Sequence, residues 1–231
     1  MSSISTSELT DRLVDDLEPV KPIPTALKLW AAWLVSAALV LLLSSLKSKI
    51  RPDLAAVAAE PGFLIQSAAI IAACASIAAM AVGLCIPGSR NSLSLWTVIV
   101  GIGAWIAAAG YEVFSHLQNG ASILAGYRPI YMCSTAVLIY SIIPAAVFLF
   151  IVRLSSPLQS KRAAFLALFA SGLVGTAALQ ISCANDNILH LLLSHWLPAV
   201  ALGVLGLFLG QFLFDWDTKV NRLKERLSIK K

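Results

Sequence analysis

Residues 131–152 read YMCSTAVLIYSIIPAAVFLFIV, an apolar run without one charged side chain. A helix that crosses the hydrocarbon core of a bilayer needs about 20 mostly apolar residues, and this run suffices by itself. Comparable stretches lie at about 28–46, 63–86 and 93–111 before it, and at 164–182 and 188–214 after it. Polar breaks separate them: Lys47 to Gly62 with Pro52 and Pro61, Pro87 to Asn91, Glu112 to Pro129, Arg153 to Arg162 with Pro157, and Ser182 to Asn187. The spacing predicts an all-α polytopic membrane protein. Its parts are a polar segment at 1–27, a six-transmembrane-helix bundle at 28–214 and a tail at 215–231.

Composition agrees. Hydrophobic residues make up 58% of the 231 and charged residues 13%, whereas soluble domains carry about a quarter charged residues. No room remains for a separate soluble domain, so an enzyme with a catalytic head is not expected. Ionisable residues are almost absent from the middle of the helices, which counts against an ion-coupled transporter.

The charges are distributed unevenly. Glu8, Asp11, Asp15, Asp16 and Glu18 face a single Arg12 near the start, while Lys219, Arg222, Lys224, Arg226, Lys230 and Lys231 crowd the end. With both ends inside, the cytoplasmic side holds Arg12, Lys21, Lys28, Arg90, Arg153, Lys161, Arg162 and those six tail residues. The outer side holds only Lys47, Lys49, Arg51 and Arg128. Short cytoplasmic loops collect Lys and Arg, so both termini are expected in the cytoplasm. The segment before the first apolar stretch is long and acidic, the reverse of a signal peptide's basic start, so that stretch is expected to stay as a helix.

Two flanking segments have helical patterning. Ser5 with Glu8 reads as a capping box. Leu9, Leu13, Leu17 and Val20 then share one face of a short helix, which Pro19 ends. Pro22 and Pro24 continue a stiff tether. An apolar face flanked by carboxylates suits docking to a basic partner, and a solvated segment would read the same way. At the other end Trp216, Val220, Leu223 and Leu227 line one face of a basic helix suited to anionic membrane lipid. No motif for nucleic acid is present.

Cysteine and histidine placement is the remaining chemistry. Cys74 and Cys85 fall within an apolar stretch and read as small hydrophobes. Cys133 and Cys183 both come to the outer face in the expected topology. There they suit a disulfide, a soft metal ion held by thiolates, or no joint role. His190 and His195 follow Cys183. Five residues apart, they stand about 140° apart on an α-helix, so one α-helix does not aim both at one ion. His190 can join the cysteines, and polar packing in the bundle accounts for either histidine. His116 reads as an outer-loop residue. Gly206 and Gly210 form a G-x-x-x-G, the pattern of close helix packing. Gly101-Ile102-Gly103 sits inside an apolar helix and is no nucleotide loop.

Together these features resemble the NrsF family of bacterial inner-membrane anti-sigma factors. The resemblance spans nearly the whole chain. It rests on the head Leu9-Thr10-Asp11-Arg12-Leu13-Val14-Asp15-Asp16-Leu17-Glu18-Pro19-Val20, on Arg51-Pro52-Asp53-Leu54 followed by Pro61-Gly62-Phe63-Leu64, and on Cys133 opening the fourth apolar stretch. Cys183 with Asp186, then His195-Trp196-Leu197-Pro198, completes it. The resemblance implies that the head (Leu9, Asp11, Leu13, Asp15, Asp16, Leu17 and Glu18) binds an extracytoplasmic-function sigma factor. It implies that Cys133 and Cys183 sense a stress such as heavy metal or oxidant; His190, His195 and Asp186 are candidate accessories, and a soft metal ion is a candidate signal. Ala184 and Asn187 stand where the family pattern has a proline and a second acid, which speaks against the loop itself as a metal ligand. The competing readings are a membrane thiol-disulfide oxidoreductase, which would want a C-x-x-C, and a small transporter.

Overall fold

The computed structural model describes residues 10, 14, 23–86, 92–118, 131–155 and 157–214. The acidic head, apart from Thr10 and Val14, and the basic tail lie outside the described residues. Among the described residues the chain is helical and contains no strand. In order the helices are α1 (Ala26–Lys47), the short α2 (Leu54–Val57), α3 (Pro61–Leu84), α4 (Ser92–Gln118), α5 (Tyr131–Ser155) and α6 (Ser160–Ser182). The last helix enters as α7 (Ile188–His190), passes through a π-helical segment (Leu191–Trp196) and continues as α8 (Leu197–Phe214).

Five of these segments are long and apolar enough to span a membrane: Ala26–Lys47, Pro61–Leu84, Tyr131–Ser155, Ser160–Ser182 and Ile188–Gln211. The sixth expected stretch, 93–111, falls in α4, whose apolar part Leu95–Tyr111 is shorter. α4 also continues to Gln118. His116 and Glu112, expected in a loop, therefore stand in the last turns of a helix.

Helix α6 is the centre of the bundle. Ala163, Ala164, Ala167, Ala170, Gly172, Gly175 and Ala178 are all buried, and α3, α5 and α8 pack around it. In a membrane, small side chains let backbones approach closely, and van der Waals packing then takes the place of the hydrophobic drive. The larger core side chains come from the surrounding helices: Trp33 of α1 meets Phe148 of α5 with ring centroids 5.3 Å apart, and Ile70, Ile77 and Val82 of α3 are buried. Buried hydroxyls bond back to their own helices, Ser141 to the Val137 carbonyl at 2.6 Å and Ser171 to the Ala167 carbonyl at 2.8 Å. Neither hydroxyl is left without a partner in that core. The outward faces carry Val35, Leu42, Ile71, Ile139, Ile142 and Phe150, all exposed, as a lipid-facing surface requires.

The G-x-x-x-G pattern is a packing contact. A Cβ on Gly206 would lie 2.4 Å from the Ala164 carbonyl oxygen, and one on Gly210 would lie 2.7 Å from that of Ser160. Both obstacles are α6 backbone, which cannot step aside. Overpacking costs about 1–3 kcal/mol. Gly206→Ala is therefore expected to lower the thermal midpoint of the detergent-solubilised chain. Gly103→Ala, with nothing within 4 Å of the new methyl, is the control that leaves it unchanged.

Candidate functional site at one end of the bundle

Cys133 stands in the first turn of α5, and Cys183 caps the C-terminus of α6. Their Sγ atoms are 3.8 Å apart, so the two positions the sequence placed on one face are in contact. Cys183 Sγ also lies 3.4 Å from His190 Nε2. His195 completes the group, and the four ligand atoms lie within 4.8 Å of one another. The cysteines are half-buried; both histidines are buried, His190 at 0% and His195 at 1% exposure.

The histidine geometry corrects the expectation that one helix cannot aim both rings at a common point. That expectation assumed α-helical spacing. Between them the helix is π-helical: the Leu197 N–H bonds the Leu192 carbonyl, five residues back. In such a turn residues five apart come into register, and the two rings meet edge to face at 5.0 Å. The cause is readable in the sequence. Pro198 has no N–H to give to the Ser194 carbonyl, and its ring crowds that oxygen. The turn just ahead of it widens, and π-bulges are often found at functional sites.

Three residues without an assigned role hold the cluster in place. Asn187 caps α7, its Oδ1 accepting from the N–H groups of Leu189 at 3.0 Å and His190 at 3.3 Å. An Asn at that position satisfies donors a helix start leaves orphaned. Thr176 of α6 donates to the His195 carbonyl at 3.0 Å, pinning the π segment to the central helix. Arg51, after α1, has a fully buried side chain and ties the loop after α1 to the loop after α6. Its Nη1 and Nη2 donate to Asp186 at 2.8 and 2.6 Å. Its Nε and Nη2 donate to Asp53 at 2.8 and 2.9 Å. The Arg51 N–H donates to the Ile181 carbonyl at 3.0 Å.

Asp186 is thus committed to Arg51 rather than placed among the cysteines and histidines. The Arg51 cation is neutralised by these carboxylates.

Electrostatics follow the contacts. Hydrogen bonds to Asp53 and then Asp186 raise Arg51 above its ordinary range against the cost of burial, so it is always a cation. Arg51 in turn holds the Asp53 carboxyl below the usual carboxylate range. That half of the tie is complete above the ordinary carboxylate pKa and is lost only as pH falls through the lowered value. The Cys183 thiol is lowered, first by hydrogen bonding with Cys133 and further by the nearby His195 ring, while burial opposes the shift. A lowered thiol is a better nucleophile and metal ligand at neutral pH.

The other expected residues are placed plainly. Cys74 and Cys85 are buried in and just after α3, outside the cluster, and Cys74 donates to the Ala170 carbonyl at 3.3 Å; they behave as small hydrophobes. The His116 side chain and Leu9, Asp11, Leu13, Asp15, Asp16, Leu17 and Glu18 of the head lie outside what is described.

No curated protein matches the chain, and no solved structure does. The family model of NrsF, negative regulator of sigma F, matches residues 13–216, which takes in all the long apolar helices and the whole Cys–His cluster. This chain therefore belongs to the NrsF family and is a negative regulator of a sigma factor.

Proposed function

We propose that the chain is a bacterial inner-membrane anti-sigma factor that holds an extracytoplasmic-function sigma factor through its acidic head and releases it when the Cys133–Cys183 pair responds to a metal ion or an oxidant. The observation that carries the sensing half is the 3.8 Å contact between two thiols from different helices. A disulfide or a shared metal ion across that contact joins α5 to the end of α6, and a sensor must connect parts that can move relative to each other. In the oxidative case both thiols lose a proton and an electron to a disulfide-forming oxidant, and one S–S bond forms. The binding half rests on membership of the family and on the acidic, leucine-faced head, which suits a basic groove on the partner.

The six-span topology is part of the same reading. Arg51 after α1, Cys133 at the start of α5 and Cys183 at the end of α6 meet at one end of the bundle. α3 leads away from that end and α5 begins at it, so α4, at 27 residues, is the segment that returns. Six crossings and the Lys/Arg bias leave head and tail together in the cytoplasm, where a sigma factor is found. The thiol cluster then faces the oxidising periplasm. The basic tail rests on anionic lipid of the inner leaflet.

Affinity capture from detergent-solubilised membranes tests the docking half. The full chain is expected to retain a small sigma factor, and a chain beginning at residue 25 to lose it. Equal retention by both baits removes the head from the account.

A further inference from the structure

We infer that Cys133, Cys183, His190 and His195 form one four-ligand site for a d10 divalent cation, Zn2+ or Cd2+. This inference rests on the sensing role given to the cysteines above and makes both histidines ligands rather than accessories.

Three independent observations lead there. The first is geometry. Tetrahedral zinc has Zn–S of about 2.3 Å and Zn–N of about 2.0–2.1 Å, which sets ligand atoms roughly 3.4–3.8 Å apart. Cys133 Sγ and Cys183 Sγ are 3.8 Å apart, Cys183 Sγ and His190 Nε2 are 3.4 Å apart, and all four ligand atoms lie within 4.8 Å of one another, so a small inward shift closes them on an ion. The second is the unsatisfied ring of His195. Both its nitrogens are buried and have no hydrogen-bond partner among the described residues. Buried side-chain polar atoms nearly always have a partner, and this ring belongs to the cluster. The third is the π turn, a rare and less stable helix form, which aligns two histidines that an α-helix would separate.

The donor set chooses the ion. Two sulfurs and two imidazoles in a tetrahedral array suit zinc-like ions and not the oxygen-seeking Mg2+ or Ca2+. On binding, each thiol releases its proton to solvent, two metal–sulfur and two metal–nitrogen bonds form, and no electron moves. Two thiolates cancel the charge of the ion, so the filled site is neutral, which suits its burial at the membrane boundary. The ion would clamp the first turn of α5 to the end of α6 and to the π segment. Trp196, the last residue of that segment, packs on Trp105 of α4 with ring centroids 4.0 Å apart, so the clamp is in contact with a fourth long helix.

The test is metal binding by the full, reduced chain in lipid nanodiscs, with Co2+ as spectroscopic probe and Zn2+ or Cd2+ in equilibrium dialysis. One ion per chain is expected, with the visible bands of tetrahedral Co2+ bound to sulfur, displaced by Zn2+. His190→Gln and His195→Gln should each weaken Zn2+ binding at least tenfold, Cys133→Ser should weaken the sulfur bands, and Cys133→Ser with Cys183→Ser should abolish them. Helical circular dichroism and thermal midpoints taken without metal show whether each variant is folded. If a folded His195→Gln chain and a folded His190→Gln chain both bind Zn2+ as tightly as the parent, the histidines are not ligands and the inference falls. It falls equally if the parent binds no ion. A chain that binds no ion yet releases its sigma factor on oxidation by diamide overturns the metal site and leaves the thiol-sensing role standing.

Discussion

Cells carrying the chain with both Cys133→Ser and Cys183→Ser are expected to keep the sigma factor bound under cadmium or diamide, so that sigma-dependent transcription stays at its unstressed level. Serine hydroxyls neither form a disulfide nor replace thiolates as ligands for a soft ion. The loss should be complete rather than partial, for a reason of magnitude. Driving a two-state regulator from about 1:99 to 99:1 needs roughly 5.5 kcal/mol of differential binding. A structural zinc-type site supplies about 10–16 kcal/mol in favourable cases, enough for the shift if a substantial share discriminates between the two states. A signal that binds both states equally shifts nothing, so removing its ligands removes the response. Reporter transcription with and without stress checks this, beside an immunoblot showing that the variant reaches the membrane. A doubly substituted chain that still releases its sigma factor under stress contradicts the assignment of the sensor.

The second large effect concerns the tie beneath the cluster. Asp186→Ala leaves the buried Arg51 guanidinium with Asp53 as its remaining carboxylate, and an unsatisfied buried donor costs about 1–3 kcal/mol, more when it is charged. Asp186 is three residues from Cys183, so the loss should also loosen the segment that presents the thiol. The expected results are a lowered thermal midpoint in detergent and faster labelling of Cys183 by a membrane-impermeant maleimide, with Cys133→Ser as the background. An unchanged midpoint together with unchanged labelling would show that the Arg51 tie does not order this loop.

Much of this arrangement was legible in the sequence because bilayer physics is severe. Uninterrupted apolar runs such as 131–152 have few alternatives to a spanning helix, and Gly206 with Gly210 announced a close contact that the backbone of α6 supplies. Counting apolar stretches put Cys133 and Cys183 at one end of the bundle and left open whether they touch. Two features escaped. Histidine spacing was judged on an α-helix, and the signal that corrects it, Pro198 three residues after His195, acts on hydrogen bonds one turn ahead of itself. Arg51 was counted only among the loop charges, since pairing with Asp186, 135 residues away, leaves no trace in local spacing. The end of α4 also ran past its apolar stretch, because hydropathy marks where lipid begins and not where a helix stops.

Negative control of a sigma factor is read from transcription at that sigma factor's own promoter in unstressed cells lacking this chain. Transcription is expected to rise to at least the level that stress induces in the parent strain and to fall again when the full chain is restored. Transcription that stays at the unstressed parental level without the chain would contradict it.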